Sequence, residues 1–475
     1  MITFLVCLAL LVAAYFAYGG YLGRVAGLDG SSEVPSHRLY DGVDYVPMPR
    51  WRIFLIQLLN IAGIGPIFGA ILGACFGPVA FLWITFGGIF MGAMHDFLSG
   101  VMTLRNDALS IPEVIGRYMG RGVKLFMCIF SIVLLVLVGV VFLRSPAGIL
   151  GDMVPQVPYN AWIAIIVVYY FIATLLPVDK IIGRLYPIFG AALIFMALGL
   201  LGVLLFGDFS VPELSLYNAQ PDPAKMPIMP TLFITIACGA ISGFHATQSP
   251  IMARCVNNEK ECRAVFYGAM IAESIIALIW AAVAMAFFGG AESLAGALAE
   301  HGNNAAWAVN TISRTTLGIM GGILAVLGVV AAPITSGDTA FRSARLIIAD
   351  LLGVEQRSKL KRLYISIPLF AIGIGITFID FDILWRYFAW TNQALAAIVL
   401  WCIVVWLARE GRNVWVAVPV AVFMTYVCSS FVFVSGQFLG LGAAPAAYIG
   451  GGVLTIALTA LMWLKISRER KKQIL

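Results

Sequence analysis

Charged residues are scarce in this chain of 475 residues. Asp, Glu, Lys and Arg make up 11% of it, whereas an average soluble domain contains about 25%. Hydrophobic residues account for 61%, and the mean hydropathy is +0.95. A soluble protein of this length would need far more polar surface. The composition therefore excludes an ordinary soluble protein and indicates a membrane protein with many spans.

Several kinds of site are missing as well. The eight cysteines have neither a disulfide-framework spacing nor a zinc spacing, since only Cys255 and Cys262 share a loop. There is no Gly-Lys-Ser/Thr phosphate loop and no dinucleotide fingerprint, so we expect no ATP-driven engine. We also expect no catalytic residue, metal site, cofactor or nucleic-acid partner. The net charge of +6 suits loops beside anionic lipid head groups.

What is present is a series of apolar runs of about 17 to 26 residues, the length that spans a bilayer as a helix. They predict an all-α fold with thirteen transmembrane helices, near 2–23, 53–75, 79–104, 123–144, 160–177, 181–206, 229–250, 264–289, 316–341, 363–379, 383–407, 413–435 and 444–465. The first run lacks the basic start and cleavage site of a signal peptide, so it is interpreted as a span.

The 30 Lys and Arg residues fall almost entirely in every second loop. The exceptions are Arg144, Lys225, Arg314 and Arg386. Because cytoplasmic loops carry the excess of positive charge, we expect a cytoplasmic C-terminus and an N-terminus outside.

The spans predict an inverted repeat. Setting aside the first helix and the last two leaves ten, which divide into two sets of five, and an odd number reverses the direction of the second set. The predicted units are an extra helix at 1–23, a cytoplasmic loop at 24–52, repeats at 53–206 and 229–407, and two helices with a basic tail at 413–475. Equivalent linkers at 105–122 and 290–315 each predict a short helix.

Matching helices of the two repeats are interrupted by glycine, proline or polar residues, at Gly63–Pro66 and at Ser242–Pro250. Paired breaks of this kind indicate a transporter's substrate site. Two alternatives are close helix packing for the glycines and hydrogen bonding between helices for the polar groups. The candidate substrate-binding residues are Gly63, Ile64, Gly65, Ser242, Gly243, Phe244, His245, Thr247 and Gln248.

Ionisable side chains within apolar spans are costly and therefore suggest function. The candidates for ion coupling are His95, Asp96, Glu273, Thr335, Ser336 and Asp338. Asp96 is the favoured proton carrier, with Asp338 in reserve. The hydroxyls of Thr335 and Ser336 follow Pro333 and would suit a sodium ion. The alternatives are an ion pair of Asp96 with Arg105, an uncoupled hydrogen-bonded Glu273, and an ion pair of Asp338 with Arg342 one turn on.

Five motifs resemble those of the carbon starvation protein A family of bacterial transporters. They are Asp41–Pro47, Ala62–Pro66, Gly92–Phe97, Ser242–His245 and Asp338–Arg345. The resemblance implies a leucine-transporter fold in the bacterial inner membrane and proton-coupled import of pyruvate or small peptides. A sodium-coupled amino-acid transporter of the same fold is the alternative. A channel is disfavoured by the paired breaks, and a sensor by the lack of a visible signalling domain.

Overall fold

The computed structural model describes residues 1–42, 45–175, 178–354 and 358–474, and within them all side chains except those in 174–185, 359, 382 and 469–474. The described residues form helices and connecting loops, without a β-strand. Two members of the Asp41–Pro47 motif, Val43 and Asp44, lie outside the described residues, as do 176 and 177 of the predicted span at 160–177.

The first ten helices extend to Phe206. They are α1 (Ile2–Ala26), α2 (Pro35–Arg38), α3 (Arg50–Ile61), α4 (Gly65–Ala74), α5 (Val79–Leu82), α6 (Ala93–Leu104), α7 (Ile111–Met119), α8 (Arg121–Met153), α9 (Tyr159–Leu175) and α10 (Val178–Phe206). A π-helical segment, Trp83–Gly92, joins α5 to α6, so that these elements form one continuous rod.

The remaining helices follow a long loop. They are α11 (Phe233–Thr235), α12 (Gly243–Ala253), α13 (Gly268–Phe288), α14 (Ala291–Glu300), α15 (Ala305–Leu324), α16 (Ala331–Leu352), α17 (Lys359–Ile376), α18 (Phe381–Arg409), α19 (Val418–Val434) and α20 (Pro445–Ile474). π-Helical turns precede α11, α13 and α16. The short helices predicted in the two linkers are confirmed as α7 and α14.

Nine helices of the described chain are long and apolar enough to cross a membrane, or ten when α3 and α4 count as one bent span. The helices α1 and α20 leave much of their apolar surface exposed, whereas most of α18 is buried. Exposed apolar surface of this kind suits lipid. The protein is therefore a multi-pass membrane protein, while the count of thirteen spans stays a prediction.

The predicted span at 316–341 has the wrong boundaries. The chain kinks at Gly318 (φ 58°, ψ −142°), and the helix that follows continues through α16 to Leu352, where Gly353 adopts a left-handed conformation. The sequence becomes polar after Phe341, which suggested an end to the span. The polar residues Arg342 and Arg345 are instead buried against neighbouring helices.

Four helices, α3, α6, α12 and α13, pack together as a ring in the interior of the protein. The short helix α12 packs against α3 and α6, and α13 packs against the same two helices. This ring places the helix before the first break and the helix that starts at the second predicted break next to the ionisable residues of α6 and α13.

Candidate functional site

The first break lies where the sequence predicts it. The helix α3 ends at Ile61, α4 begins at Gly65, and their axes differ by 50°. Ala62 leaves the helical region at φ −85° and ψ 48°. Pro66 falls in the first turn of α4, where its missing N–H costs nothing. The glycines and the proline thus produce a local interruption of the span.

The second break is displaced from its predicted position. The unwound residues are 236–242, between α11 and α12, whereas Gly243–Pro250 are helical. The prediction is therefore wrong for Gly243–Pro250. The physical reason is a cap, because Asn392 Oδ1 accepts a hydrogen bond from the Phe244 N–H at 2.7 Å and starts the helix there. Pro250 is tolerated near the end of α12.

Polar side chains of α18 hold the second break in place. Asn392 also bonds to the Ser242 hydroxyl at 3.0 Å. The Gln393 amide donates to the carbonyls of Phe233 and Ala237 at 3.2 and 3.3 Å. These carbonyls lose their helical partners at the break, and a lipid environment offers no replacement. The amides at 392 and 393 thus act as links between helices.

The two breaks contact each other. A Cβ added at Gly65 would overlap the side chain of Cys238, and one at Gly69 would lie 3.0 Å from the Thr235 carbonyl oxygen. A Cβ added at Gly239 would lie 3.8 Å from the Cα of Pro66. The first break therefore lies against the unwound segment 236–242, just before the predicted second break. Gly69 and Gly73 of α4 also pack closely against Thr235 and Ile236.

Four buried residues from three helices form what we call the polar centre: His95, Asp96, His245 and Glu273. Asp96 lies between two imidazoles, with its Oδ1 2.8 Å from His95 Nδ1 and its Oδ2 2.7 Å from His245 Nδ1. The other ring nitrogen of His245, Nε2, lies 3.4 Å from Glu273 Oε2. All four side chains are inaccessible to solvent.

The geometry of the polar centre suits proton movement. An ionised Asp96 can only accept, so each neighbouring imidazole then donates from its Nδ1. The other ring nitrogen of His245 lies beside Glu273. A proton can therefore bind at one ring nitrogen while another leaves from the second. One imidazole therefore connects carboxylates on α6 and α13. The alternative partner for Asp96, Arg105, instead contacts Glu259 at 3.2 Å.

The other candidate substrate residues have more local roles. The Thr247 hydroxyl donates to the Phe244 carbonyl at 2.6 Å, and the Gln248 amide donates to Thr247 at 3.0 Å. Gly63 and Ile64 are buried at the first break. Thus His245 is the member of the predicted cluster that reaches ionisable groups of other helices.

The candidate ion-coupling residues of α16 lie apart from the polar centre. The Ser336 hydroxyl donates to the Leu59 carbonyl, in the last turn of α3, at 3.2 Å, and Thr335 donates to Ala332 at 2.7 Å. Asp338 forms an ion pair with Arg342 at 3.3 Å. For Asp338 the structure therefore contains the alternative that the sequence left open, an ion pair with Arg342 one turn along the helix.

Two residues that the sequence analysis missed are Gln57 and Asn60. Both are buried in α3 just before the first break. A signal was present, because two amides three residues apart in an apolar helix are costly to bury unless they have partners.

No group of three or more His, Cys, Asp or Glu residues in the described part of the chain is arranged to hold a metal ion.

The fold is similar to that of solved proteins of the leucine-transporter type. MhsT, solved in complex with L-phenylalanine, aligns with 89% of this chain and 99% of its own at a TM-score of 0.56 and 14% identity. A manganese transporter from Eremococcus coleocola aligns with 91% of this chain and 99% of its own at a TM-score of 0.52 and 13% identity. At such low identity the likeness concerns the fold alone.

The chain belongs to the family described as Carbon starvation protein CstA, which matches residues 1–145 and 149–321. The family resemblance of the sequence motifs is thereby confirmed. An uncharacterized membrane protein of Haemophilus influenzae is 42% identical over 63% of this chain and 94% of its own.

Two named relatives in this family are transporters. The peptide transporter CstA of Campylobacter jejuni is 29% identical over 56% of this chain and 47% of its own. The pyruvate/proton symporter BtsT of Escherichia coli is 28% identical over 56% of this chain and 46% of its own. The chain matches about half the length of these named relatives.

Proposed function

We propose that the chain is a secondary active transporter that imports pyruvate or small peptides together with protons by alternating access. Its fold and the names of its relatives support a transport role. The observation that carries proton coupling is the buried connection from Asp96 through His245 to Glu273. Each member can bind or release a proton, and the connection joins three helices beside the second break.

The coupling would work through a change in the partners of Asp96. In the present conformation the carboxylate is shielded by two imidazoles. A rotation of α12 about the unwound residues 236–242 would move His245 away from α6 and leave His95 as the remaining imidazole partner of Asp96. Asp96 would then favour its protonated form more than it does now, because a buried carboxylate that loses a donor is costlier to keep charged. Proton binding and the position of α12 would thus depend on each other.

The proposed arrangement in the membrane follows the sequence analysis. The five-helix units at 53–206 and 229–407 form an inverted repeat, with one extra helix before them and two after them. The N-terminus lies outside and the C-terminus in the cytoplasm of a bacterium, with the protein in the inner membrane. Cysteine accessibility at positions 30 and 470, probed from each side of the membrane, would test this orientation.

Transport by purified protein in proteoliposomes tests the function. Preloaded vesicles should exchange labelled pyruvate or labelled alanyl-alanine in counterflow, and an inward proton gradient without sodium should drive accumulation. Accumulation that requires sodium would contradict the proton assignment, and absence of exchange for both compounds would contradict the substrate assignment.

A sodium-coupled amino-acid transporter is the second candidate function, because hydroxyl and carbonyl oxygens gather where α16 meets the end of α3. Ser336 Oγ lies 3.2 Å from the Leu59 carbonyl oxygen. The hydroxyl of the adjacent Thr335 and the carbonyl of Ala332, one turn earlier, add further oxygens. Oxygen ligands suit a hard cation. A sodium gradient that drives uptake of an amino acid, and that loses this ability in Ser336→Ala, would favour this function.

A further inference from the structure

Gln57 and Asn60 bring four hydrogen-bonding atoms into the protein interior without partners. Their side chains are 0% and 1% exposed, and neither the nitrogen nor the oxygen of either amide has a hydrogen-bond partner among the described residues. Buried polar atoms are nearly always paired, because an unpaired one loses its bonds to water. Two complete amides in this condition therefore point to a partner that is not a protein side chain.

The contacts of α3 show which way these amides face. Leu55 lies against α10, since a Cβ on Gly190 would be 3.0 Å from the Leu55 carbonyl oxygen, and Leu59 contacts Ser336 of α16. At about 100° per residue, Gln57 and Asn60 lie about 200° and about 140° around the helix from Leu55. Gln57 therefore points away from both α10 and α16, whereas Asn60 points away from α10 and lies about 100° around the helix from Leu59.

The helix α3 also meets helices that hold the polar centre. It packs against α12 and α13, which carry His245 and Glu273. Further atoms on these helices are also without a hydrogen-bond partner in the described structure, namely Oε1 of Glu273 and the amide oxygen of Gln248, while Oε2 of Glu273 has the 3.4 Å contact with His245 Nε2. The helix α3 and the two helices that pack against it thus each carry buried polar atoms without partners.

We propose that Gln57 and Asn60 bind the transported substrate and complete a site shared by α3, α12 and α13. The inference rests on the proposed transport function and adds the chemistry of the ligand. Amide N–H groups donate to carboxylate or carbonyl oxygens, whereas the amide oxygens and Glu273 accept from N–H groups. The site therefore matches a small ligand that carries both donors and acceptors, as alanyl-alanine does, better than a ligand with acceptors alone, such as pyruvate.

Leucine replacements test this role against a structural one. If the amides have partners only when a ligand is bound, Gln57→Leu and Asn60→Leu remove unpaired polar atoms from the ligand-free protein. The melting temperature of each ligand-free variant should then equal or exceed that of the wild type. The affinity for alanyl-alanine should fall at least about tenfold in each variant. The matched control is Gln393→Leu, which removes an amide with two carbonyl partners and should lower the melting temperature.

The outcomes separate the two proposals. Leucine variants that melt clearly lower than the wild type, or that fail to fold, would show that the amides are structural and would overturn the inference. Wild-type affinity in both stable variants would overturn it as well, while leaving the transport function intact. Preference of the wild type for pyruvate over alanyl-alanine would overturn the assigned ligand chemistry. A wild type that exchanges neither compound would refute the proposed function and the inference with it.

Discussion

Two buried carboxylates of this protein are paired in different ways. Asp96 of α6 contacts two imidazoles, one of them on α12, whereas Asp338 contacts the guanidinium of Arg342 one turn along α16. An imidazole exchanges its proton under physiological conditions, but a guanidinium stays charged. The polar centre can therefore change its protonation at an imidazole, whereas the partner of Asp338 on α16 keeps its charge.

The geometry of the two pairs differs as well. The contact between Asp96 and His245 spans 149 positions of sequence and joins two helices, so a movement of α12 can break it. The contact between Asp338 and Arg342 lies within one helix, so it travels with that helix as a unit. This difference indicates that a change of conformation would alter the environment of Asp96 far more than that of Asp338.

The largest effect is expected for Asp96→Asn, which keeps the size of the side chain but removes its ability to ionise. Accumulation of substrate under a proton gradient should fall to the background of empty vesicles, whereas counterflow exchange should continue. Transport in proteoliposomes measures both quantities. Asp338→Asn is the matched control and should retain gradient-driven accumulation. Accumulation by Asp96→Asn that equals the wild type would refute the role of Asp96.

A smaller effect is expected for His245→Ala. The substitution removes the imidazole between Asp96 and Glu273. It should weaken substrate binding by about 10- to 100-fold, which is the effect expected when a hydrogen bond between the imidazole and a charged group of the substrate is lost. Binding titration of the purified, monodisperse protein measures the change. His301→Ala, at an exposed imidazole stacked on Trp307, should bind like the wild type. Unchanged affinity in His245→Ala would remove His245 from the site.

The position of α12 can be disturbed through the contact between the breaks. Gly65→Ala should destabilise the protein by about 1–3 kcal/mol, because the new Cβ overlaps the side chain of Cys238. Thermal unfolding measures the change, and Gly148→Ala, whose new Cβ meets no atom within 4 Å, is the control. Adding Cys238→Gly to Gly65→Ala should recover part of the loss. A stable Gly65→Ala protein would show that the breaks do not need this close contact.

Local signals explain what the sequence could predict. Pro66 beside glycines placed the first break correctly, and the four-residue spacing of Asp338 and Arg342 made their ion pair foreseeable. His95, Asp96, His245 and Glu273 were recognised individually, because ionisable groups in apolar spans are unusual. Their assembly into one centre was not foreseeable, since it depends on how α6, α12 and α13 pack.

The second break shows why the rest escaped prediction. Its position depends on Asn392 and Gln393, which approach from α18 and are distant in sequence. The unwound segment itself consists mostly of small or apolar residues and carries little local signal. Gln57 and Asn60 were overlooked although two amides in an apolar helix are visible in the sequence. The three-dimensional structure adds that these amides lack partners.

The smallest effect is expected for Arg342→Lys, and it addresses the comparison of the two carboxylates directly. Lysine keeps the positive charge beside Asp338 but loses the planar donor set, including the bond from Arg342 to the Ala173 carbonyl at 3.0 Å. We expect a loss of about 1 kcal/mol in stability and accumulation within about twofold of the wild type. Unfolding and proton-driven uptake are measured on the same preparation, with Asp96→Asn as the uncoupled reference. If Arg342→Lys abolishes accumulation while exchange continues, the pair on α16 takes part in coupling. Asp338 would then join Asp96 as a second candidate proton carrier, because a fixed ion pair has no reason to respond to so conservative a change.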